Sequence, residues 1–140
     1  MQAFINTHPE SARIKDATQI IDVCRNKLEL KEFRNAQLYF NLAYYKAAAV
    51  AFAGLIDDYP DSDKSDEYKL ASIKSYFKYA EMSVAEKQEE RYGKVITECA
   101  DFNDRFHSSK LSAEVNNYKT LSENNIKNLK NEQIKETSKR

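Results

Sequence analysis

The side chains in this sequence best placed to bind a cation crowd around Pro60: Asp57, Asp58, Asp61, Asp63, Asp66 and Glu67. A calcium loop sets its oxygen ligands in a D-x-D-x-D-G order and closes with a bidentate Glu. This run has neither, and it reads as a solvated acidic loop. His8 and His107 stand beside or at turn positions, and neither has a Cys or carboxylate at zinc-ligand spacing. Cys24 and Cys99 fall on apolar helical stripes and read as small buried hydrophobes, with a disulfide or a reactive thiol as the alternative. Gly54 and Gly93 are isolated, so no glycine-rich loop can cradle a phosphate; each reads as a point of close helix approach. No Ser/His/Asp or Cys/His set shows a local signature of nucleophilic catalysis. The residue types therefore favour a non-enzymatic protein with no metal and no cofactor.

Recognition is the stronger candidate. Tyr39, Tyr44, Tyr45, Tyr68, Tyr76 and Tyr79 gather in one part of the chain. Aromatic side chains concentrate where proteins bind partners. Most of these rings are expected in or near the core, and some are expected to line a groove for a peptide or a domain. Tyr44, Tyr45, Lys46, Tyr76, Lys78 and Tyr79 are the candidate binding residues. The 22 Lys and Arg balance the 22 Asp and Glu, which does not suit a nucleic-acid partner. Glu86, Lys87, Glu89, Glu90, Arg91 and Lys94 interleave opposite signs and read as a solvated helix face.

The elements that would position these groups are helices. Only two Gly and two Pro interrupt 140 residues. Ile14, Ala17, Ile20, Ile21, Cys24 and Leu28 recur at steps of three and four, and Phe33, Ala36, Phe40 and Ala43 form a further stripe. The charged segment 28–34 between them is either a bend or the middle of one long helix. A turn is expected over 44–47, then a helix to Tyr59 with Ala48, Phe52, Leu55, Ile56 and Tyr59 inward. Pro60 ends it, because the residue before a proline avoids helical geometry. Asp61, Ser62 and Asp63 offer N-caps for a helix over 65–81, with Tyr68, Ala71, Ser72, Tyr76, Tyr79 and Ala80 inward. After a break at Met82 and Ser83, a helix over 84–106 shows Val84, Gln88, Tyr92, Val95, Cys99, Phe102 and Phe106 on one face. A last helix from Ser108 or Ser109 shows Leu111, Val115, Tyr118 and Leu121. Residues 130–140 are polar and are expected to fray. No segment alternates with the period of a strand.

One cadence repeats. Tyr45, Ala48, Phe52 and Pro60 are separated by three, four and eight positions, and so are Tyr92, Val95, Cys99 and His107. Met1 and Pro9 repeat the gap of eight, and Phe4 to Ser11 (FINTHPES) parallels Leu55 to Ser62 (LIDDYPDS). On a helix, Ala48 and Phe52 share one face, so the small residue admits a neighbouring helix and the ring fills the space beside it. A single hairpin built this way cannot bury its apolar surface, so like units must stack. These are the residues of the tetratricopeptide signature, and the expected fold is an all-α, tetratricopeptide-like helical-hairpin solenoid over 1–129.

The segments ARIKDATQIIDVCRNKLELKEF and AQLYFNLAYYKAAAVAFAGLIDDYP, with the YPDS run, resemble the BamD (ComL/YfiO) family of outer-membrane assembly lipoproteins. SVAEKQEERY, from Ser83 to Tyr92, is similar to its Bacteroidetes branch. The likeness spans about Met1 to Leu129 and matches the C-terminal part of such a protein, which implies a fragment of a longer chain. It implies a scaffold on the periplasmic face of the outer membrane, held there by a lipid anchor lying upstream. It implies partners as well: the barrel-forming subunit of the β-barrel assembly machine and unfolded outer-membrane proteins. The family's contact turn corresponds to Ala43 to Ala47. An arginine expected near that turn has no counterpart, and Leu42 stands close to its place. The alternative from the residues alone is a generic peptide-binding tetratricopeptide adaptor or chaperone cofactor.

Overall fold

A computed structural model describes residues 9–139. They form five helices: α1 (Pro9–Asn41), α2 (Tyr45–Asp58), α3 (Ser65–Glu81), α4 (Ala85–Arg105) and α5 (Ser112–Ser138). The fold is all-α, and no strand occurs among the described residues. Each helix packs on the next in sequence, and α3 also touches α5. That chain of neighbour contacts is what stacked hairpins produce. The repeat-like end at Met1, Phe4 and His8 lies outside the described residues.

Of the two possibilities for segment 28–34, the uninterrupted helix is the one formed: α1 runs through it without a break. Nothing in LELKEFR denies the backbone its i→i−4 hydrogen bonds, and Leu, Glu, Lys and Arg are good helix formers. Pro9 is the first residue of α1. A proline suits that position, since its missing N–H would lack an intrahelical acceptor anyway.

Two cores result. Ala36, Ala48, Phe52, Leu55, Ile56, Tyr59 and Tyr68 form the first, with Phe33 and Phe40 packed against it. Ile73, Phe77, Ala80, Tyr92, Val95, Cys99, Phe102 and Val115 form the second. α3 serves both, because it lies between α2 on one side and α4 on the other. Its buried set therefore includes Ile73 and Phe77, which a one-stripe reading of α3 omits, while Tyr76 and Tyr79 are only half-buried. Close approach of α2 and α3 occurs at Ala49, whose carbonyl accepts a 2.9 Å hydrogen bond from the buried Ser72 hydroxyl.

Several expectations are corrected. Cys24 is exposed, because none of the other described helices covers its face of α1; Cys99 is buried. A Cβ placed on Gly54 or Gly93 would meet nothing within 4 Å, so neither glycine serves close packing. Residue Lys64 is the N-cap of α3 and makes no side-chain cap bond. Ser62 instead turns its hydroxyl to the Glu29 carboxylate on α1, tying the loop down. α5 starts at Ser112 rather than Ser108 or Ser109, and Leu121 is 39% exposed while Ser122 takes the buried position. Residues 130–138 continue α5 as a helix whose side chains are all exposed. Its run of Lys, Glu, Gln and Asn has helical propensity enough to propagate an existing helix.

Candidate functional site: an aromatic groove at the α1–α2 turn

The turn between α1 and α2 is Leu42 to Tyr44, a little earlier than the expected 44–47. No Gly or Pro marks it. It forms instead by placing Ala43 in the left-handed region, with a φ of 64°. The Tyr44 N–H donates to the Tyr39 carbonyl (2.9 Å) and the Ala43 N–H to the Phe40 carbonyl (3.0 Å). This is the six-to-one and five-to-two pair of a Schellman end, which normally uses glycine at the left-handed residue. An alanine there costs about 1 kcal/mol, since its Cβ crowds the following carbonyl. The surrounding contacts must hold the strain, and strain of this kind concentrates at functional positions.

Around this turn lies an open groove of about 770 Å³, lined chiefly by Tyr39, Tyr44, Tyr45, Lys46, Val50 and Tyr79. α1 supplies Tyr39, the turn supplies Tyr44, α2 supplies Tyr45, Lys46 and Val50, and α3 supplies Tyr79. Tyr44 is 61% exposed and Val50 57%, so apolar surface faces water here. The other walls are fixed. The Tyr45 ring meets Phe40 edge-on, with centroids 5.1 Å apart. The Arg91 guanidinium lies 4.2 Å from the centre of the Tyr79 ring and donates a 2.5 Å hydrogen bond to the Ser83 hydroxyl. Ser83 in turn donates to the Tyr79 carbonyl at 2.5 Å. Arg91 and Ser83 thus brace Tyr79 from the α4 side. An arrangement of exposed rings over a packed aromatic floor, with one lysine at the rim, suits an apolar or aromatic segment of another polypeptide.

Of the six candidate residues, Tyr44, Tyr45, Lys46 and Tyr79 come together in this groove. Tyr76 and Lys78 do not line it. Tyr76 packs against the second core beneath the Lys94 ammonium (5.5 Å to its centroid), and Lys78 pairs with Glu81 at 3.4 Å. One helical turn separates Tyr76 from Tyr79; both meet cations of α4, but only Tyr79 also reaches the groove. Tyr39 and Val50 escaped the candidate set. Val50 had a signal in the sequence, since it is the large apolar residue of α2 that falls off the Ala48–Phe52 stripe. Tyr68 belongs to the first core, where its hydroxyl donates to Glu29 Oε1 at 2.6 Å; burial and that carboxylate push its pKa above the usual phenol range.

The remaining polar chemistry is structural. Lys69 of α3 is buried and lies 2.5 Å from Glu98 and 2.7 Å from Asp101 of α4. Lys94 reaches the other Glu98 oxygen at 2.9 Å. Burial raises the Glu98 pKa, but hydrogen bonds from Lys69 and Lys94 outweigh it and hold the group below the usual carboxylate range. The Lys69 hydrogen bond does the same for Asp101. Burial pushes the Cys99 thiol up to about 11, so it is a poor nucleophile. Among the described residues no group of three His, Cys, Asp or Glu could hold a metal ion, and no helix is long and apolar enough to cross a membrane.

Compared with known proteins, the sequence matches no family model and no curated protein.

Proposed function

We propose that this chain is a non-enzymatic scaffold whose groove at the α1–α2 turn holds an apolar, aromatic-bearing segment of another protein. The observation that carries the proposal is the exposure of Tyr44 and Val50 above the braced Tyr79 ring, at a turn whose Ala43 is strained. Exposed aromatic surface beside a rigid wall is where a partner gains most per residue buried. The resemblance of the α1 and α2 segments to BamD-type lipoproteins supports a finer reading. In it the stack is tetratricopeptide-like, and the protein works at the periplasmic face of the outer membrane, with a lipid anchor in the full-length protein. The partner is then the periplasmic part of the barrel-forming assembly subunit, an unfolded outer-membrane protein, or both. On that resemblance, the groove falls at the turn corresponding to the one through which the family makes its contact.

The test is a calorimetric titration of the purified chain with two probes. One is the periplasmic part of a barrel-forming subunit, and the other is an aromatic-rich strand peptide from an outer-membrane barrel. At least one should bind, and Tyr44→Ala with Val50→Ala should weaken binding by at least about tenfold without altering the helical circular dichroism. If neither probe binds, the outer-membrane reading fails. If binding occurs but the double variant leaves it unchanged, the groove is not the site.

A further inference from the structure

The two ends of the stack differ. α5 turns a polar side outward, where Asn117, Asn124, Lys127 and Asn128 are all exposed, as suits a terminal helix facing water. α1 does the opposite. Ile14, Ala17, Ile21, Cys24 and Leu28 follow one another at alternating steps of three and four, the spacing of a coiled-coil seam. All five are exposed, Ile14 at 67%, Ile21 at 63% and Leu28 at 54%. Ile20 widens the stripe and is 64% exposed. This is not the face α1 uses inside the stack. Phe33, Ala36 and Phe40 lie about a third of a turn away round the helix, at about 100° per residue.

The edges of the stripe carry charge. On the near edge, where it runs past the end of α2, Arg25, Glu32 and Asp58 give mixed signs. On the far edge the helical period places Arg13, Lys27, Lys31 and Arg34, with Asp16 the one carboxylate among them. All of these far-edge groups are exposed. Among the described residues, Lys27, Lys31 and Arg34 take part in none of the ion pairs. An antiparallel pair of two α1 helices would set these cationic edges against each other, which penalises a second copy as the occupant.

We infer that the α1 stripe seats an amphipathic helix of a second protein, one that carries acidic residues beside its own apolar seam. The stripe spans four turns, or roughly 20 Å, which a partner helix of about 15 residues covers. This surface is separate from the aromatic groove, and the inference stands or falls independently of the function proposed above.

The experiment uses the intact chain and two synthetic helical peptides with the same apolar stripe, one flanked by Glu and the other by Lys. Binding is read by fluorescence anisotropy, and occupancy of the face by the alkylation rate of Cys24, which lies in the stripe. The Glu-flanked peptide should bind at least about tenfold more tightly at low salt, with the advantage shrinking as salt rises. It should slow Cys24 alkylation in step with its binding. Lys27→Glu combined with Lys31→Glu should reverse the preference, and Ile21→Asp should abolish binding. These positions are exposed, so the fold is retained, which circular dichroism checks. Equal affinity for the two peptides, or alkylation of Cys24 unaffected by either, overturns the inference. So does a concentration-dependent dimer in sedimentation that shields Cys24 without peptide, because the face then belongs to a second copy.

Discussion

Replacing Lys69 by Met keeps most of the aliphatic stem in place and removes the ammonium between two carboxylates. The side chain of Lys69 is 7% exposed and that of Glu98 15%, so the Lys69–Glu98 contact is shielded from water. Breaking a buried pair from one side costs about 3–5 kcal/mol when the abandoned charge has no other partner. Glu98 still has Lys94 at 2.9 Å, and the Asp101 side chain is 44% exposed with Arg105 at 3.5 Å. The expected loss is therefore smaller, about 2–3 kcal/mol near neutral pH. The loss should also depend on pH. Glu98 and Asp101 both titrate below their ordinary values in the folded protein. A depressed carboxyl pKa adds stability above the unfolded value, about 4, and that stability disappears as pH falls through the folded value. The deficit of Lys69→Met should thus be largest near pH 7 and narrow by about 1 kcal/mol or more towards pH 3. Urea titrations followed by far-UV circular dichroism, on both proteins at several pH values, read this directly. A variant within about 0.5 kcal/mol of the parent at neutral pH, or a deficit that does not change with pH, would refute the reasoning.

Other substitutions probe the rest of the stack. Phe52→Ala should destabilise by about 3–5 kcal/mol in the same urea assay, because the ring is 3% exposed at the centre of the first core. Gly54→Ala and Gly93→Ala should each raise stability by about 0.5–1 kcal/mol, since both are helical and a Cβ meets nothing there. Ala43→Gly should raise the melting midpoint, gaining about 1 kcal/mol by relieving the left-handed alanine. Ser122→Ala should be neutral or stabilising by up to about 1 kcal/mol, because the buried hydroxyl has no hydrogen-bond partner; a clear loss would mean that a bound water satisfies it.

The three-four-eight cadence made the α2 core readable. Ala48, Phe52 and the residue before Pro60 are buried as their spacing requires, because α2 has one dominant inward face. α3 defeated the same method. A helix packed on two sides shows two overlapping stripes, and the sequence alone does not say that Tyr68 joins the first core and Phe77 the second. The α1–α2 turn was located only roughly, since alanine, not glycine or proline, occupies the strained position. Cys24 looked buried because periodicity reports which residues share a face, not whether anything covers it. The partnerships of Glu29 with Tyr68 and of Lys69 with Glu98 join residues 39 and 29 positions apart, and no local pattern announces them. Tyr44, Tyr45 and Lys46 meet in the groove because they flank one turn, and Tyr79 reaches it from α3; Tyr76 and Lys78, of the same residue types, do not line it.

The contrast between the two outer helices bears on how this protein can be built upon. Fusions, fluorophores or surface tethers belong after Ser138, where the end of α5 meets solvent with Ile134 as its one large apolar side chain. Extra hairpins grafted in front of Pro9 would instead find a ready hydrophobic seat, so an engineered array would lengthen from that side alone.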